Sequence, residues 1–525
     1  MMKTFPRARL AALASLMVLT FLSGGWLLRP HPAAEGGIYQ QARLFEGVVG
    51  AIHRHYIDSL GEGDLYQRAA DALVGSLHDP YAELLVRDSY RDYQRQMAGT
   101  EIDIDRGPAE SGWEGRLSGN LIAPGDEVLS IDGQNTNGWP TERLDEAMRR
   151  GAGPTVTVVV RPRGARSPVI RRFTRTEVHV PAASRGALLA DEAGYIALRR
   201  MSAGAADELR AAVDTLVAHG MTSLVLDLRS NPGGLIREGV AVAGLFLEPG
   251  DTVAISVGRS SKRSKIYLAD APGGWPDLRL AVLVNRGTAS SAELIAGALQ
   301  DHDRAVVVGT PSYGKGVLQT TYPIGTDVAL KLTTARWYTP SGRTVQRPRP
   351  DSAGGPGNRI PSTRPRTFFS SRGRVVPDAS GILPDLLVRS VRRSEGERVL
   401  AGRLGHDLSR FRDVLAGYAA ELRAEQVTAP DPGALTSARR DTLFMRLEEA
   451  GVRLDRGTYD LAGGYVQEQL GNELARAFFG SDSLLRREAR RDRQLQAALG
   501  VIRGSKTQDE ALTAAMRAQL SGRVR

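Results

Sequence analysis

The chain has 525 residues, of which 42% are hydrophobic and 24% are charged. This length and balance indicate a globular protein of roughly three or four domains and exclude an intrinsically disordered chain. The absence of cysteine excludes thiol catalysis, disulfide bonds and zinc–thiolate sites. The net charge of +10 comes from arginine residues interspersed with acidic ones, and we therefore expect no nucleic-acid partner.

The N-terminus has the pattern of an export signal. Basic residues precede an uncharged segment, 10–28, which ends at Arg29 and Pro30. No clear small-residue cleavage site follows, so the pattern favours an uncleaved membrane anchor over a signal peptide within residues 1–34. The rest of the chain is then expected to be exported across that membrane.

Residues 35–98 are predicted to form a helical module. Leu44, Val48 and Ile52 follow one another at four-residue spacing, which is the period of one helix face.

The region 99–182 has a different pattern. LIAPGDEVLSIDGQ predicts a turn, a strand and a second turn, and a helix near 143–150 and the alternating strand TVTVVVRPRG follow. This order resembles the second half of a PDZ domain, with a first half shortened to 100–120. The resemblance implies peptide binding by strand addition, and a structural spacer is the alternative.

Residues 183–390 alternate between helical and strand patterns. A helix near 206–219 precedes the apolar strand 223–228, and a further strand, turn and helix follow at 280–300. Such alternation predicts an α/β fold in which helices cover a buried sheet. The Pro-, Gly- and Arg-rich segment 347–366 is predicted to be an exposed insertion.

Two residues of this region suggest hydrolytic chemistry. Ser290 lies where the turn after a strand becomes a helix, and Lys315 lies between Gly314 and Gly316 in a chain with only six lysines. An amine in an apolar pocket can lose its proton and activate a serine hydroxyl. Lys315 and Gln319 are predicted to project from the same face of one strand, so that Gln319 can orient the amine.

An oxyanion would need amide donors near the same serine. The amide of Ser291 is free in the first turn of the predicted helix, and the flexible turn at Gly233 and Gly234 can present a second amide. We therefore predict Gly233 and Ser291 as the oxyanion-hole residues. The proposed chemistry requires no metal and no cofactor.

Three other motifs overlap this stretch. GTPSYGKG, 309–316, nearly matches a phosphate-binding loop, but Gly316 replaces the magnesium-binding hydroxyl and a strand follows. Ser312 and Lys315 satisfy S-x-x-K, yet neither S-D-N nor K-T-G is present. His302 is near enough in sequence for a Ser/His/Asp triad, but the chain has no G-x-S-x-G elbow. The Ser/Lys site is the favoured interpretation.

Five ordered motifs resemble those of the carboxyl-terminal processing peptidases, or tail-specific proteases, a group of S41 serine peptidases. They are DLRSNPGG, TASSAE, the interval of 25 residues between the serine and the lysine (315 minus 290), GKGVLQ and RWYTPSGRTVQ. The resemblance implies a serine endopeptidase with a crotonase- and ClpP-like core. It implies Ser290 as nucleophile, Lys315 as base, Gln319 as the partner of the lysine, and a structural role for Asp301.

The pair Ser290 and Ser291 leaves two candidate nucleophiles, and the interval to Lys315 favours Ser290. The substrates implied are unfolded proteins or proteins with accessible C-termini, cut near those C-termini. A catalytically silent peptide-binding scaffold of the same fold is the alternative.

Residues 391–525 resemble no catalytic module. Apolar residues recur at helical spacing, and further helices are predicted at 443–454, 459–479 and 483–502. This helical extension is predicted to serve oligomer formation, adaptor docking or simple packing on the core.

Overall fold

The computed structural model describes residues 36–105, 126–139, 141–151, 153–162, 164–189, 192–260, 262, 264–270, 274–348, 367–377, 380–390, 393–424 and 436–522. The predicted anchor at 10–28, most of the insertion at 347–366 and much of the segment 100–120 lie outside these residues. None of the described helices combines the length and the apolar character that a membrane crossing requires. The chain forms two compact units, 1–84 and 85–525.

Helices and strands alternate along most of the chain, which confirms the mixed α/β class. The helices are α1 (Gly36–His55), α2 (Glu62–Gly75), α3 (Asp88–Ala98), α4 (Thr141–Arg149), α5 (Ala205–Ala218), α6 (Ile236–Gly244), α7 (Ser291–Asp301), α8 (Glu395–Leu404), α9 (Leu408–Ala424), α10 (Ser437–Glu449), α11 (Arg456–Leu461), α12 (Gly463–Phe479), α13 (Ser481–Arg491), α14 (Arg493–Arg503) and α15 (Gln508–Leu520). The strands are β1 (Glu83–Val86), β2 (Thr100–Asp105), β3 (Glu127–Ile131), β4 (Gln134–Asn135), β5 (Thr155–Arg161), β6 (Val169–His179), β7 (Ala187–Leu188), β8 (Ala193–Ala197), β9 (Ser223–Asp227), β10 (Thr252–Gly258), β11 (Lys265–Leu268), β12 (Arg279–Val284), β13 (Val306–Gly309), β14 (Val317–Gly325), β15 (Val328–Tyr338), β16 (Phe368–Phe369), β17 (Val375–Val376) and β18 (Leu386–Leu387).

The first unit contains the helices α1 and α2, in agreement with the helical pattern of its sequence.

The region predicted to be PDZ-like contains an antiparallel sheet in the order β2-β6-β5-β3-β4. Val156, Val158 and Val160 alternate on β5 and are fully buried, whereas the residues between them are partly exposed. One face of this sheet therefore packs on a small core with Met148 of α4. The assignment of this region as PDZ-like stays a prediction.

A six-stranded sheet in the order β18-β13-β12-β9-β8-β7 forms the centre of the second unit. All its neighbouring pairs are parallel except β7 with β8. Successive residues of the strands face opposite sides: Leu224 and Leu226 of β9 join one core cluster, and Val225 joins another. Both faces are therefore covered, as the nearly continuous apolar strand sequences require.

The helices α5, α6 and α7 cover one face of this sheet, and α14 and α15 cover the other. The helices α8 to α12 form a separate cluster with its own core, which includes Leu400, Phe411, Leu443, Tyr459 and Leu470. The sequence boundary at residue 391 stays a prediction. Within residues 391–525, the helices α14 and α15 pack on the central sheet and form one of its two covering layers.

Candidate active site

Ser290 lies at the start of α7 in a strained backbone conformation. Its φ of 56° and ψ of −121° fall in a region that residues other than glycine rarely adopt, and such strain is concentrated at functional sites. The same type of sharp strand-to-helix turn presents the serine of α/β-hydrolases, although G-x-S-x-G is absent here. The serine is 7% exposed, at the edge of a buried helix.

Glu293 connects the serine to the segment that carries the lysine. Its Oε2 accepts the amide hydrogens of Ser290 at 2.9 Å and Lys315 at 2.8 Å. Its Oε1 accepts the amide of Gly314 at 2.6 Å and the hydroxyl of Ser312 at 2.5 Å. One fully buried carboxyl group therefore fixes both backbone positions that the proposed chemistry needs.

The environment of Glu293 has opposing effects on its charge. Burial raises the pKa of the carboxyl group above its ordinary value, while the four hydrogen bonds that it accepts oppose the shift. No role for Glu293 is predicted from the sequence. The available signal was Ser290-x-x-Glu293, which is the pattern of a helix capping box.

The loop that carries Lys315 is held by backbone contacts. Gly314 has a φ of 91°, and a Cβ on Gly316 would lie 2.7 Å from the amide nitrogen of Gln346. The two glycines therefore permit a close approach that larger residues would prevent. The carbonyl of Lys315 accepts a hydrogen bond from Trp337 Nε1 at 3.1 Å, and the lysine is half-buried.

Gln319 does not share a strand with Lys315, so that expectation is wrong. The strand β14 begins at Val317, and its pairing with β15 shifts between Leu318 and Gln319. The unpaired residue at this shift, Thr334, belongs to β15, so the disagreement rests on the start of β14 after Lys315 and not on the bulge. The Nε2 atom of Gln319 lies 3.5 Å from Thr333 Oγ1, at the limit of a hydrogen bond.

The turn at Gly233 packs directly against the serine. Gly233 has a φ of 88°, and a Cβ there would lie 2.7 Å from the carbonyl oxygen of Ala289 and 2.9 Å from the Cβ of Ser290. Its own amide, however, donates to Asn231 Oδ1 at 2.9 Å. Gly233 is thus beside Ser290, the predicted nucleophile, but its amide already donates to Asn231 in this conformation.

Ser291 differs from Ser290 in its surroundings. The Ser291 side chain is fully buried, and its hydroxyl has no hydrogen-bond partner among the residues that the structure describes. It faces α6, where a Cβ on Gly239 would lie 2.9 Å from the Cβ of Ser291. The geometry therefore favours Ser290 over Ser291 as the nucleophile. The predicted role of Ser291 as an oxyanion donor involves only its backbone amide.

The opposite end of α7 is fixed by an ion pair. Arg343 donates to Asp301 Oδ1 at 2.7 Å and to Gln300 Oε1 at 2.7 Å, and both charged side chains are almost completely buried. Gln346, three residues later, accepts the amide of Gly316 at 2.9 Å. The motif RWYTPSGRTVQ thus connects both ends of the site, and Asp301 has the positioning contacts expected from the sequence.

The residues of the competing motifs have other contacts. The loop 309–316 leads into β14 and not into a helix, which disagrees with a phosphate-binding loop. His302 Nε2 lies 2.8 Å from the carbonyl of Thr252, at the end of α7. Within the described residues, no group of three or more histidine or acidic side chains is arranged to hold a metal ion.

Comparisons with known proteins all indicate the same peptidase family. Residues 192–353 match Peptidase family S41. The chain is 30% identical over 334 residues to the carboxy-terminal-processing protease of Bartonella bacilliformis, covering 59% of this chain and 74% of that protein. It is 32% identical over 296 residues to the carboxyl-terminal-processing protease of Synechocystis, covering 53% of this chain and 68% of that protein.

A third relative is a probable CtpA-like serine protease of Staphylococcus haemolyticus, which is 28% identical over 316 residues. The match covers 58% of this chain and 63% of that protein.

Proposed function

This chain belongs to peptidase family S41, among the carboxyl-terminal-processing proteases, and on that basis we propose that it is a serine endopeptidase using Ser290 and Lys315. The observation that carries the proposal is the position of Glu293. A single carboxyl group holds the backbone of a strained, buried serine and the backbone of the lysine. That arrangement suits a nucleophile and a base that must keep a fixed separation.

The proposed reaction begins with attack of Ser290 Oγ on an amide carbonyl while Lys315 accepts the hydroxyl proton. A free lysine has a pKa of about 10.4, so the site must favour the neutral amine, and removal from water acts in that direction. Lys315 then donates the proton to the leaving amine, and an acyl-enzyme forms on Ser290. A water activated by the same lysine hydrolyses this intermediate.

The oxyanion would be held by amides at the start of α7 and in the turn before α6. Ser291 provides the first amide, next to the nucleophile. Gly233 provides the second only if its hydrogen bond to Asn231 is released. The amide of Gly234 has no hydrogen-bond partner among the described residues and is the alternative second donor.

Gln319 is proposed to orient the Lys315 amine after a local rearrangement. The rearrangement is needed because the Gln319 side chain approaches Thr333 in this structure.

The proposed substrates are unfolded proteins or proteins with accessible C-termini. The names of the relatives from Bartonella bacilliformis and Synechocystis, which describe C-terminal processing, support this class. The antiparallel sheet at 99–182 would bind the substrate by strand addition if it is PDZ-like. An N-terminal anchor would hold the enzyme at the periplasmic face of the inner membrane, and the C-terminal helices are candidates for oligomer or adaptor contacts.

The test uses the purified full-length protein with casein as an unfolded substrate. Ser290→Ala and Lys315→Ala are expected to abolish cleavage while circular dichroism and thermal unfolding stay unchanged. Ser291→Ala and Lys506→Ala are the matched controls, and both are expected to cleave. Cleavage that survives Ser290→Ala would contradict the assignment of the nucleophile.

A catalytically silent scaffold is the second candidate. It would bind peptides without cleaving them, and Ser290→Ala would leave its cellular effects intact.

A further inference from the structure

A cavity of about 330 Å³ lies beside the loop of the proposed base, and the described residues that line it are Arg286, Tyr313, Gly314 and Arg347. Two of the four are arginines, and none is acidic. This volume is at the lower end of the range of ligand-binding pockets. Arg286 lies four positions before Ser290 and Tyr313 two before Lys315, so the cavity is lined by residues of the turn and the loop that carry the proposed catalytic residues.

Arg286 extends from a rigid turn. Asn285 Oδ1 accepts the amides of Ser230 and Gly287, both at 2.8 Å. A Cβ on Gly287 would lie 2.8 Å from the Cα of Ser230, so the two turns are in close contact. The Arg286 side chain is exposed, and the described part of the chain provides no hydrogen bond or ion pair to its guanidinium.

Arg347 forms the other charged wall. Its amide donates to the carbonyl of Gly314 at 3.0 Å, and its Nη2 donates to the carbonyl of Ser312 at 3.1 Å. These contacts fix the side chain against the loop of Lys315. The described residues offer no carboxylate to Arg347, so its charge is not neutralised by an ion pair with them.

The loop between the two arginines is tied to the turn of the nucleophile. The amide of Tyr313 donates to the carbonyl of Thr288 at 2.9 Å. The Tyr313 side chain is 44% exposed and supplies an apolar surface between the two cationic walls. A ligand in this cavity would therefore meet two positive charges, of which that of Arg347 is held in place, and one aromatic ring.

We propose that this arginine pocket binds a carboxylate of the substrate and thereby selects the peptide segment that is cut. Guanidinium groups match carboxylates in shape and charge and form hydrogen bonds roughly twice as strong as neutral ones. The carboxylate is either the substrate's C-terminal group or an Asp or Glu side chain close to the scissile bond. The inference rests on the proposed peptidase function, because it assigns a specificity to the same site.

The kinetic experiment compares three peptides of one sequence cleaved by the full-length enzyme. One peptide ends in a free carboxylate, one ends in an amide, and one ends in an amide but carries Asp in place of a nearby Asn. We expect kcat/KM for a carboxylate peptide to exceed that of the neutral peptide by roughly ten- to a hundredfold, mainly through KM. Whichever carboxylate peptide is preferred identifies the source of the group.

In the variants Arg286→Gln and Arg347→Gln, the ratio of kcat/KM between the preferred carboxylate peptide and the neutral peptide should fall towards one. Arg490→Gln removes the same charge from an exposed position of α13 and should leave the preference unchanged. A merely structural effect would lower the rates of all three peptides together. Equal rates for the three peptides in the unmodified enzyme, or a preference that persists in both pocket variants, would overturn the proposal.

A binding measurement separates this inference from the proposed function. Fluorescence anisotropy with the Ser290→Ala variant reports on the pocket even if the protein cleaves nothing. Tighter binding of a carboxylate peptide that Arg286→Gln abolishes would support the pocket without any catalysis. Cleavage of casein without any charge preference in binding or rate would retain the peptidase and reject the pocket.

Discussion

The two faces of the central sheet are both buried, yet they are built differently. The helices α5, α6 and α7 on the first face are close in sequence to the strands that they cover, and α7 carries the proposed nucleophile. The second face is covered by α14 and α15, which follow the separate helical cluster near the end of the chain.

The contacts of the two faces differ as well. On the first face, the site is fixed by hydrogen bonds from backbone amides to one buried carboxyl group. On the second face, glutamine side chains bind the sheet: Gln508 accepts the amide of Leu280 and donates to its carbonyl, and Gln519 accepts the amide of Leu387. A terminal segment that looks like an appendage can therefore complete the core of a catalytic domain.

The largest expected effect comes from the first face, through Glu293→Ala. The change leaves three backbone amides and one hydroxyl without an acceptor, and each buried orphan costs about 1–3 kcal/mol. We expect loss of casein cleavage and a decrease of at least about 3 kcal/mol in the free energy of unfolding, measured with urea. Glu449→Gln, at an exposed position of α10, should change neither, and an active Glu293→Ala enzyme would contradict the proposed role of the carboxyl group.

A matched pair of substitutions compares the two faces directly. Leu299 of α7 is fully buried and Leu499 of α14 is 1% exposed. Each Leu→Ala change should cost about 2–5 kcal/mol, because it removes buried contacts and leaves a cavity. Unfolding of both variants is followed by calorimetry and near-ultraviolet circular dichroism.

If the two layers form one cooperative unit, both Leu→Ala variants shift the same transition. Leu520→Ala is the control, because that side chain is 88% exposed. An effect of Leu499→Ala confined to a separate transition would show that α14 folds independently of the sheet.

A smaller effect on stability is expected for a substitution in the ion pair that joins the turn after β9 to the covering layer of α14 and α15. Arg229 precedes the turn of Gly233, and its Nη2 lies 2.7 Å from Asp227 and 2.6 Å from Asp492. These charges raise the pKa of the guanidinium, against the opposing effect of burial. Asp492→Asn keeps an acceptor for the first amides of α14 but removes one charge.

We expect Asp492→Asn to lower stability by about 1–2 kcal/mol, since the pair is partly exposed. If the ion pair also positions the turn beside Ser290, kcat falls more than KM rises. Asp509→Asn is the control, at an exposed position of α15. A normal kcat in Asp492→Asn would show that the contact with the C-terminal layer does not affect the catalytic step.

The smallest effect should come from the glutamine contacts of the second face. Gln508→Ala removes two hydrogen bonds to Leu280, and such bonds contribute about 1 kcal/mol each. Hydrogen exchange of the Leu280 amide should accelerate, with casein cleavage retained. Unchanged exchange would show that the start of β12 is protected without the contacts of Gln508.

The elements of the first face were predicted better than those of the second, because local sequence patterns are enough to locate them. Alternating strand and helix patterns located β9, β12 and α7, and the glycines around Lys315 indicated a close backbone approach. Periodicity identified helices near the C-terminus, but it gave no information on which surface they cover. The segment 483–502, predicted as one helix, is divided at Asp492, and α15 was not predicted.

Side-chain contacts with the backbone were the least predictable part of the site. The link from Glu293 to the lysine loop joins segments that are distant in sequence and depends on how α7 meets that loop. The bulge beside Gln319 likewise depends on the pairing of β14 with β15, which residue types alone do not specify. The engagement of the Gly233 amide by Asn231 is a further contact of this kind.

The most direct test of the account is to locate the acyl group on the enzyme. The protein is mixed with a short peptide ester and quenched in acid within milliseconds, and its tryptic peptide 287–304 is sequenced by tandem mass spectrometry. That peptide contains both Ser290 and Ser291, so fragment ions distinguish them. The account predicts the acyl group on Ser290, and its presence on Ser291 or on another residue would contradict it.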